Sequence, residues 1–116
     1  MRLETIATQA RPASADLGGM AANAREAARL LKALAHESRL MILYLLCEGE
    51  KSVTELEHLL ALRQPTVSQQ LARLRSDGLV ATRRDGKAIY YRLASEETRV
   101  VIEAVREAFC RGREQG

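Results

Sequence analysis

This chain lacks long apolar runs, and it lacks the usual signatures of catalysis. Its longest apolar stretch, Leu40 to Cys47, makes about two helical turns, whereas a membrane span needs roughly 18 residues. That stretch reads as a buried core helix. The N-terminal end shows no charged region, apolar stretch and small-residue cleavage site in succession, so a cytoplasmic protein with no membrane partner is expected. There is no Cys-x-x-Cys pair and no Gly-rich phosphate loop. An enzyme such as a thiol oxidoreductase is therefore the weakest reading, and no cofactor is expected. Histidine and cysteine number only two each. Cys47 and Cys110 lie far apart, and in a reducing cytosol they do not read as a permanent structural disulfide.

What is present is an ordinary globular composition, 47% hydrophobic and 28% charged over 116 residues, enough for one domain with one modest core. The charge is unevenly placed. Arg63 to Arg92 holds seven basic and two acidic residues, and the remainder is slightly acidic. Such a basic block on a mildly acidic domain is the footprint of a phosphate-backbone contact.

Along the chain, residues 1–20 form a weakly patterned leader with Pro12, Gly18 and Gly19. From about Ala21 to Ala35, Ala24, Ala27, Ala28, Leu31, Leu34 and Ala35 recur at helical spacing, which predicts an amphipathic helix. Ser38 is placed to cap a second helix running to about Glu48, with Gly49 ending it. Ser52-Val53-Thr54-Glu55 is a capping box opening a short helix with Val53, Leu56, Leu59 and Leu60 inward. After the connection Ala61-Leu62-Arg63-Gln64, Pro65 suits the first position of the next helix. There Val67, Leu71 and Leu74 face the core, and Gly78 stops the helix. Leu79–Arg84 and Ala88–Leu93 are rich in β-formers around Asp85-Gly86, a strong hairpin signal. Ser95 caps a last helix whose Val101, Ile102, Val105 and Phe109 are spaced for burial. The expected body spans residues 21–112, with a short tail at 113–116. The fold class is mainly α with a small β wing, a winged helix-turn-helix of five helices and a two-stranded antiparallel hairpin.

The chemistry of a DNA reader follows from that placement. With Val67, Leu71 and Leu74 inward, the same helix turns Thr66, Ser68, Gln69, Gln70 and Arg73 outward. Glutamine pairs bidentately with adenine, hydroxyls bond several base edges, and arginine favours guanine or phosphate. Arg63 and Gln64 stand at the helix N-terminus, which favours a phosphate. Arg83, Arg84 and Lys87 cluster at the hairpin tip, where flanking phosphates or the minor groove lie. One recognition helix per chain implies a twofold dimer on double-stranded operator DNA. A winged helix that serves only protein interaction is the alternative, and the basic wing argues against it.

These residues resemble those of ArsR/SmtB-family repressors. The resemblance rests on Leu34-Ala35-His36-Glu37-Ser38-Arg39-Leu40-Met41-Ile42-Leu43, Pro65 to Arg75, Asp77-Gly78-Leu79-Val80 and the wing Arg83 to Leu93, and it covers about residues 22–111. It implies a dimeric repressor, built through its outermost helices and released from its operator by an inducer. Many members sense metals through a Cys-x-Cys pair, where this chain has Ser52 and Thr54. The last helix has no histidine, and Glu97, Glu103 and Glu107 read as a solvated face, as does His58. No metal site is therefore expected. A second branch, the SqrR/BigR/HlyU-like dithiol sensors, carries one cysteine in helix two and one near the end of the last helix. Cys110 matches the latter. Cys47 lies one helical turn past the usual position, which is Tyr44 here. The resemblance thus implies that Cys47 and Cys110 respond to reactive sulfur species or an oxidant by forming a bridge. Sensing of a metal or metalloid through unconventional thiols is the alternative.

Overall fold

A computed structural model describes residues 16–115, with side-chain surroundings through residue 110. Residues 1–15 of the expected leader lie outside the described residues. Helix α1 (Leu17–Leu34) is followed by α2 (Glu37–Cys47), a short strand β1 (Lys51–Ser52), α3 (Val53–Leu60) and α4 (Gln64–Ser76). A hairpin of β2 (Val80–Asp85) and β3 (Ala88–Leu93) then leads into α5 (Glu96–Gln115). Among the described residues the winged helix-turn-helix has five helices, as expected, but the sheet has three strands, in the antiparallel order β1-β3-β2.

Helix α2 is the centre. Ile42, Leu43 and Leu46 are buried, and the helix packs against α1, α3, α4, α5 and β3. Around it gather Ala33 and Leu34 of α1, Leu56 of α3, Val67, Leu71 and Leu74 of α4, Leu79, Val80 and Leu93 of the wing, and Ile102 of α5. Burying three side chains of one α4 stripe fixes that helix's rotation, so its opposite face must look outward.

Local chemistry sets most boundaries. In the capping box, the Glu55 N–H donates to Ser52 Oγ at 3.1 Å and the Ser52 N–H to Glu55 Oε1 at 2.8 Å. Ala61 then adopts a left-handed backbone, with φ 55°, a conformation costing about 1 kcal/mol or more for a residue with a Cβ. It closes α3 abruptly and lets α4 start after a short turn. The Thr98 N–H donates to Ser95 Oγ at 3.2 Å, the cap expected for α5.

Several expectations are corrected. The cap of α2 is His36, whose Nδ1 accepts from the Ser38 N–H at 3.2 Å, so an imidazole nitrogen does what the Ser38 hydroxyl was expected to do. Helix α1 begins at Leu17, because its alanine-rich register extends back through Gly18 and Gly19 at a cost of about 1 kcal/mol each. Helix α5 continues through the expected tail to Gln115. In α3, Leu56 is buried, while Val53 and Leu60 are half-buried. Leu59 stays 54% exposed, since 100° per residue puts it roughly a quarter turn off the stripe of the other three. The outer helices leave part of their apolar stripes uncovered, although Ile102 of α5 is buried and Val101 and Val105 are half-buried. In α1 only Ala33 and Leu34 are buried, with Leu31 55% exposed, and in α5 Phe109 is 73% exposed. No helix among the described residues is long and apolar enough to cross a membrane.

Candidate nucleic-acid interface

Helix α4 presents its N-terminus without a side-chain cap: Arg63 sits at the N-cap in an extended conformation, and Pro65 occupies the first turn. The first-turn N–H groups have no intrahelical acceptor, and together with the helix dipole they favour an anion. Opposite buried Val67, Leu71 and Leu74, Ser68 and Gln69 are exposed and Thr66 is half-buried. Gln64 and Ser68 line a cleft of about 380 Å³ whose far wall is the wing, including Lys87, Ile89, Tyr90 and Tyr91. The reading helix and the hairpin thus share one concave polar surface.

Two residues expected on that face are engaged elsewhere. Gln70 is half-buried, and its Oε1 accepts from Arg39 Nη1 at 3.1 Å, while Arg39 Nε donates to the Ala33 carbonyl at 2.7 Å. Arg39 therefore ties the end of α1 to the middle of α4. Gln70 lies between the exposed and buried stripes, so its amide turns to the protein. Arg73 is exposed but ion-paired with Asp77 one turn on, at 3.0 Å.

The wing also sorts its cations. Asp85 pairs with Ala88, leaving Gly86-Lys87 as the two-residue turn. Gly86 has φ 65° and Lys87 does not share the positive φ, the pattern of a type II′ turn, which wants glycine first. Alternation then separates the arginines. Arg84 pairs across with Ile89, on the side that carries buried Val80 and Leu93, whereas Arg83 pairs across with Tyr90 on the other face. Arg84 and Lys87 have no ion-pair partner among the described residues. Arg83 Nε donates to both Glu50 carboxylate oxygens at 2.9 Å, its Nη2 lies 2.7 Å from Oε1, and its guanidinium sits 4.7 Å above the Tyr90 ring. The hydrogen bond from Arg83 holds the Glu50 carboxyl below the ordinary carboxylate range, and the same bond raises Arg83 above its own. A lowered carboxylate contributes above its unfolded value and is lost as pH falls through the folded one, so this pair is intact at neutral pH. Glu50, Tyr90 and Arg39 were not singled out in the sequence. The Arg83–Tyr90 pairing had no signal there either: a turn at Asp85-Gly86 would have set Arg83 opposite Ala88, whereas the turn falls one residue on, at Gly86-Lys87.

The thiols sit on the opposite elements. Cys47, half-buried, ends α2, and its carbonyl accepts from Arg99 Nη1 at 2.8 Å. Burial pushes its thiol up, as does the nearby Glu103 carboxylate, with Arg99 and Arg106 opposing. Cys110 is exposed. It lies one turn beyond Arg106, about 6 Å of rise, so Cys47's charged neighbours on α5 all precede it. Among the described residues no group of His, Cys, Asp and Glu could hold a metal ion.

Residues 36–82 match the model of the family described as bacterial regulatory proteins of the arsR type. A biofilm growth-associated repressor of Agrobacterium fabrum is 52% identical over 94 residues, covering 81% of this chain and 80% of that protein. The chain belongs to the arsR family of bacterial regulatory proteins. The transcriptional activator HlyU of Vibrio cholerae is 44% identical over 95 residues, covering 82% of this chain and 88% of its own. HlyU is one of the namesakes of the SqrR/BigR/HlyU-like branch that the sequence resembles. A homodimeric winged helix-turn-helix DNA-binding domain from Mycobacterium bovis, a possible ArsR-family regulator, superposes with a TM-score of 0.73 at 36% identity, covering 84% of this chain and 90% of that one. Membership makes this arsR-family chain a DNA-binding transcriptional regulator and not an enzyme.

Proposed function

We propose that this protein is a cytoplasmic, operator-binding transcriptional repressor that works as a homodimer and leaves DNA when its two cysteines react with reactive sulfur species or an oxidant. The observation that carries the DNA reading is the shared surface: Ser68 and Gln64 on the uncapped end of α4 face Lys87 across one cleft, while Val67, Leu71 and Leu74 anchor the helix from behind. Exposed Ser68 and Gln69 are the base-reading candidates. Arg63, the first-turn amides, Arg84 and Lys87 are the phosphate candidates. The dimer is supported by the uncovered apolar positions of α1 and α5 and by the homodimeric Mycobacterium relative. Repression, not activation, follows the Agrobacterium relative, whose identity is higher than HlyU's. Deleting the gene should raise transcription from the bound promoter; a fall would make the protein an activator.

The specific test of the reading helix is Gln69→Ala. Measured on a duplex that the wild-type protein enriches from a randomised library, and on scrambled duplex, the variant should lose about 1–3 kcal/mol of discrimination at one base pair. Its affinity for scrambled DNA should stay the same. Equal loss on both duplexes would remove Gln69 from the base-reading set.

The thiol chemistry has a defined order. Exposed Cys110 is the attacking group: its thiolate takes the outer sulfur of a persulfide RS–SH, releasing RS⁻ and leaving Cys110–S–SH. The Cys47 thiolate then attacks the Cys110 sulfur and expels HS⁻, which completes a disulfide. The overall change consumes RSSH and two thiols, and yields RSH, H₂S and the bridge. Half-buried Cys47, its thiol pushed up by burial, suits the resolving role, since less of it is thiolate than at an unshifted thiol. Alkylation of the reduced protein should label Cys110 first, with Cys47 reacting appreciably only above the ordinary thiol range. Cys110→Ser should bind DNA normally and stay bound after persulfide treatment. A Cys110→Ser variant that is still released would end the sensor reading.

A further inference from the structure

Antiparallel pairing puts the side chains of Ser52, Tyr90 and Arg83 on one face of the sheet, because Ser52 pairs with Tyr90 and Tyr90 with Arg83. Glu50 precedes Ser52 by two positions and reaches the same face. The guanidinium of Arg83 therefore runs from edge strand β2, across the ring of central Tyr90, to the residue leading into edge strand β1. That strand is only two residues long, and its Ser52 is also the N-cap of α3. One side chain thus joins the wing to the first helix of the helix-turn-helix. Its nitrogens are committed as well: Nε and Nη2 to Glu50, with Nη1 lying 3.9 Å from Asp85.

We propose that Arg83 is a positioning residue that sets the wing against the helix-turn-helix, with Glu50 as its built-in counter-charge, and that it is not one of the phosphate contacts. This rests on the DNA-binding reading above, and it divides the wing arginines by task. Arg84 meets the duplex, and Arg83 holds the hairpin at the angle that lets Arg84 and Lys87 reach it. A planar fork with five donors suits a bidentate carboxylate and a ring face together; a lysine's single ammonium cannot serve both at once.

Two measurements decide it. Binding is followed by fluorescence anisotropy across a salt series, on the duplex that the wild-type protein enriches from a randomised library. Hydrogen exchange is followed on the DNA-free protein. Arg83→Gln and Glu50→Gln should each weaken binding about fivefold, the scale of a well-formed exposed ion pair, with the wild-type salt slope kept. Both should speed exchange of the β1 and β3 amides. Arg84→Ala should instead lower the slope by about one phosphate. The sign for Glu50→Gln is diagnostic: an acid that merely stood near DNA would, once neutralised, tighten binding. The reversed pair, Glu50→Arg with Arg83→Glu, should restore much of the affinity and protection. A lower salt slope for Arg83→Gln, or tighter binding by Glu50→Gln, overturns the proposal and leaves DNA binding intact. Should the wild-type protein enrich no duplex, the DNA reading falls on its own. Exchange still decides the strap, because unchanged rates in Arg83→Gln would refute it.

Discussion

Replacing Arg84 and Lys87 together with alanine is expected to weaken binding to every duplex by about a hundredfold, at roughly tenfold per charge-assisted phosphate contact. The salt dependence should become shallower by about 1.8 in the log–log slope, 0.9 for each lost contact. Both side chains are exposed and neither has an ion-pair partner among the described residues, so their charge is available to a ligand. Their loss removes nothing from the core, and thermal stability should be that of the wild type. Discrimination between operator and scrambled DNA should survive, since Ser68 and Gln69 remain. The contrast with Arg73 and Arg83 is physical. Those cations are already paired with Asp77 and Glu50, and a guanidinium must give up one anion before it can serve another. If the double variant binds scrambled DNA as tightly as the wild type, the wing is not a phosphate-contacting element.

Much of this architecture could be read in the chain because its local signals agree with one another. The capping box at Ser52, proline at the start of α4, Gly78 at its end and the turn at Gly86 each specify one conformation, and the apolar stripe Val67, Leu71 and Leu74 supplies the tertiary reason. What could not be read depends on partners distant in sequence. Strand β1 is too short for a period to register. Histidine as the cap of α2 replaces a commoner hydroxyl two positions on. Glu50 meets Arg83 only because the sheet folds a hairpin beside the lead-in to α3, and Gln70 turns inward only because Arg39 arrives from α2. The same limit applies to the outer helices. Helical spacing shows that α1 and α5 carry apolar stripes, but it does not say whether those stripes cover the chain's own core or another molecule.

Leu31→Glu is expected to convert the dimer to a monomer and to weaken operator binding by a factor on the order of 10²–10⁴, the gain that linked sites confer through effective concentration. Leu31 lies on α1 in register with Leu17, Met20, Ala24, Ala27 and Ala28, an apolar stripe that the chain leaves uncovered. On α5, Val100 and Phe109 are exposed apolar positions as well. A contiguous patch of this kind on a small domain marks an interface. A carboxylate there would have to be desolvated in an apolar interface, and twofold symmetry would bury it twice, once from each protomer. The cost falls on association and not on folding, since Leu31 makes no part of the core around α2. Light scattering should report a monomer, while the circular dichroism spectrum and melting of the monomer's helices remain. A single half-site should bind as weakly to the variant as to one protomer of the wild type. The dimer reading fails if Leu31→Glu stays dimeric, or if it turns monomeric and still holds the full operator at wild-type affinity. In the second case each α4 would be acting alone, and a thiol bridge between α2 and α5 would have no pair of recognition helices to misalign.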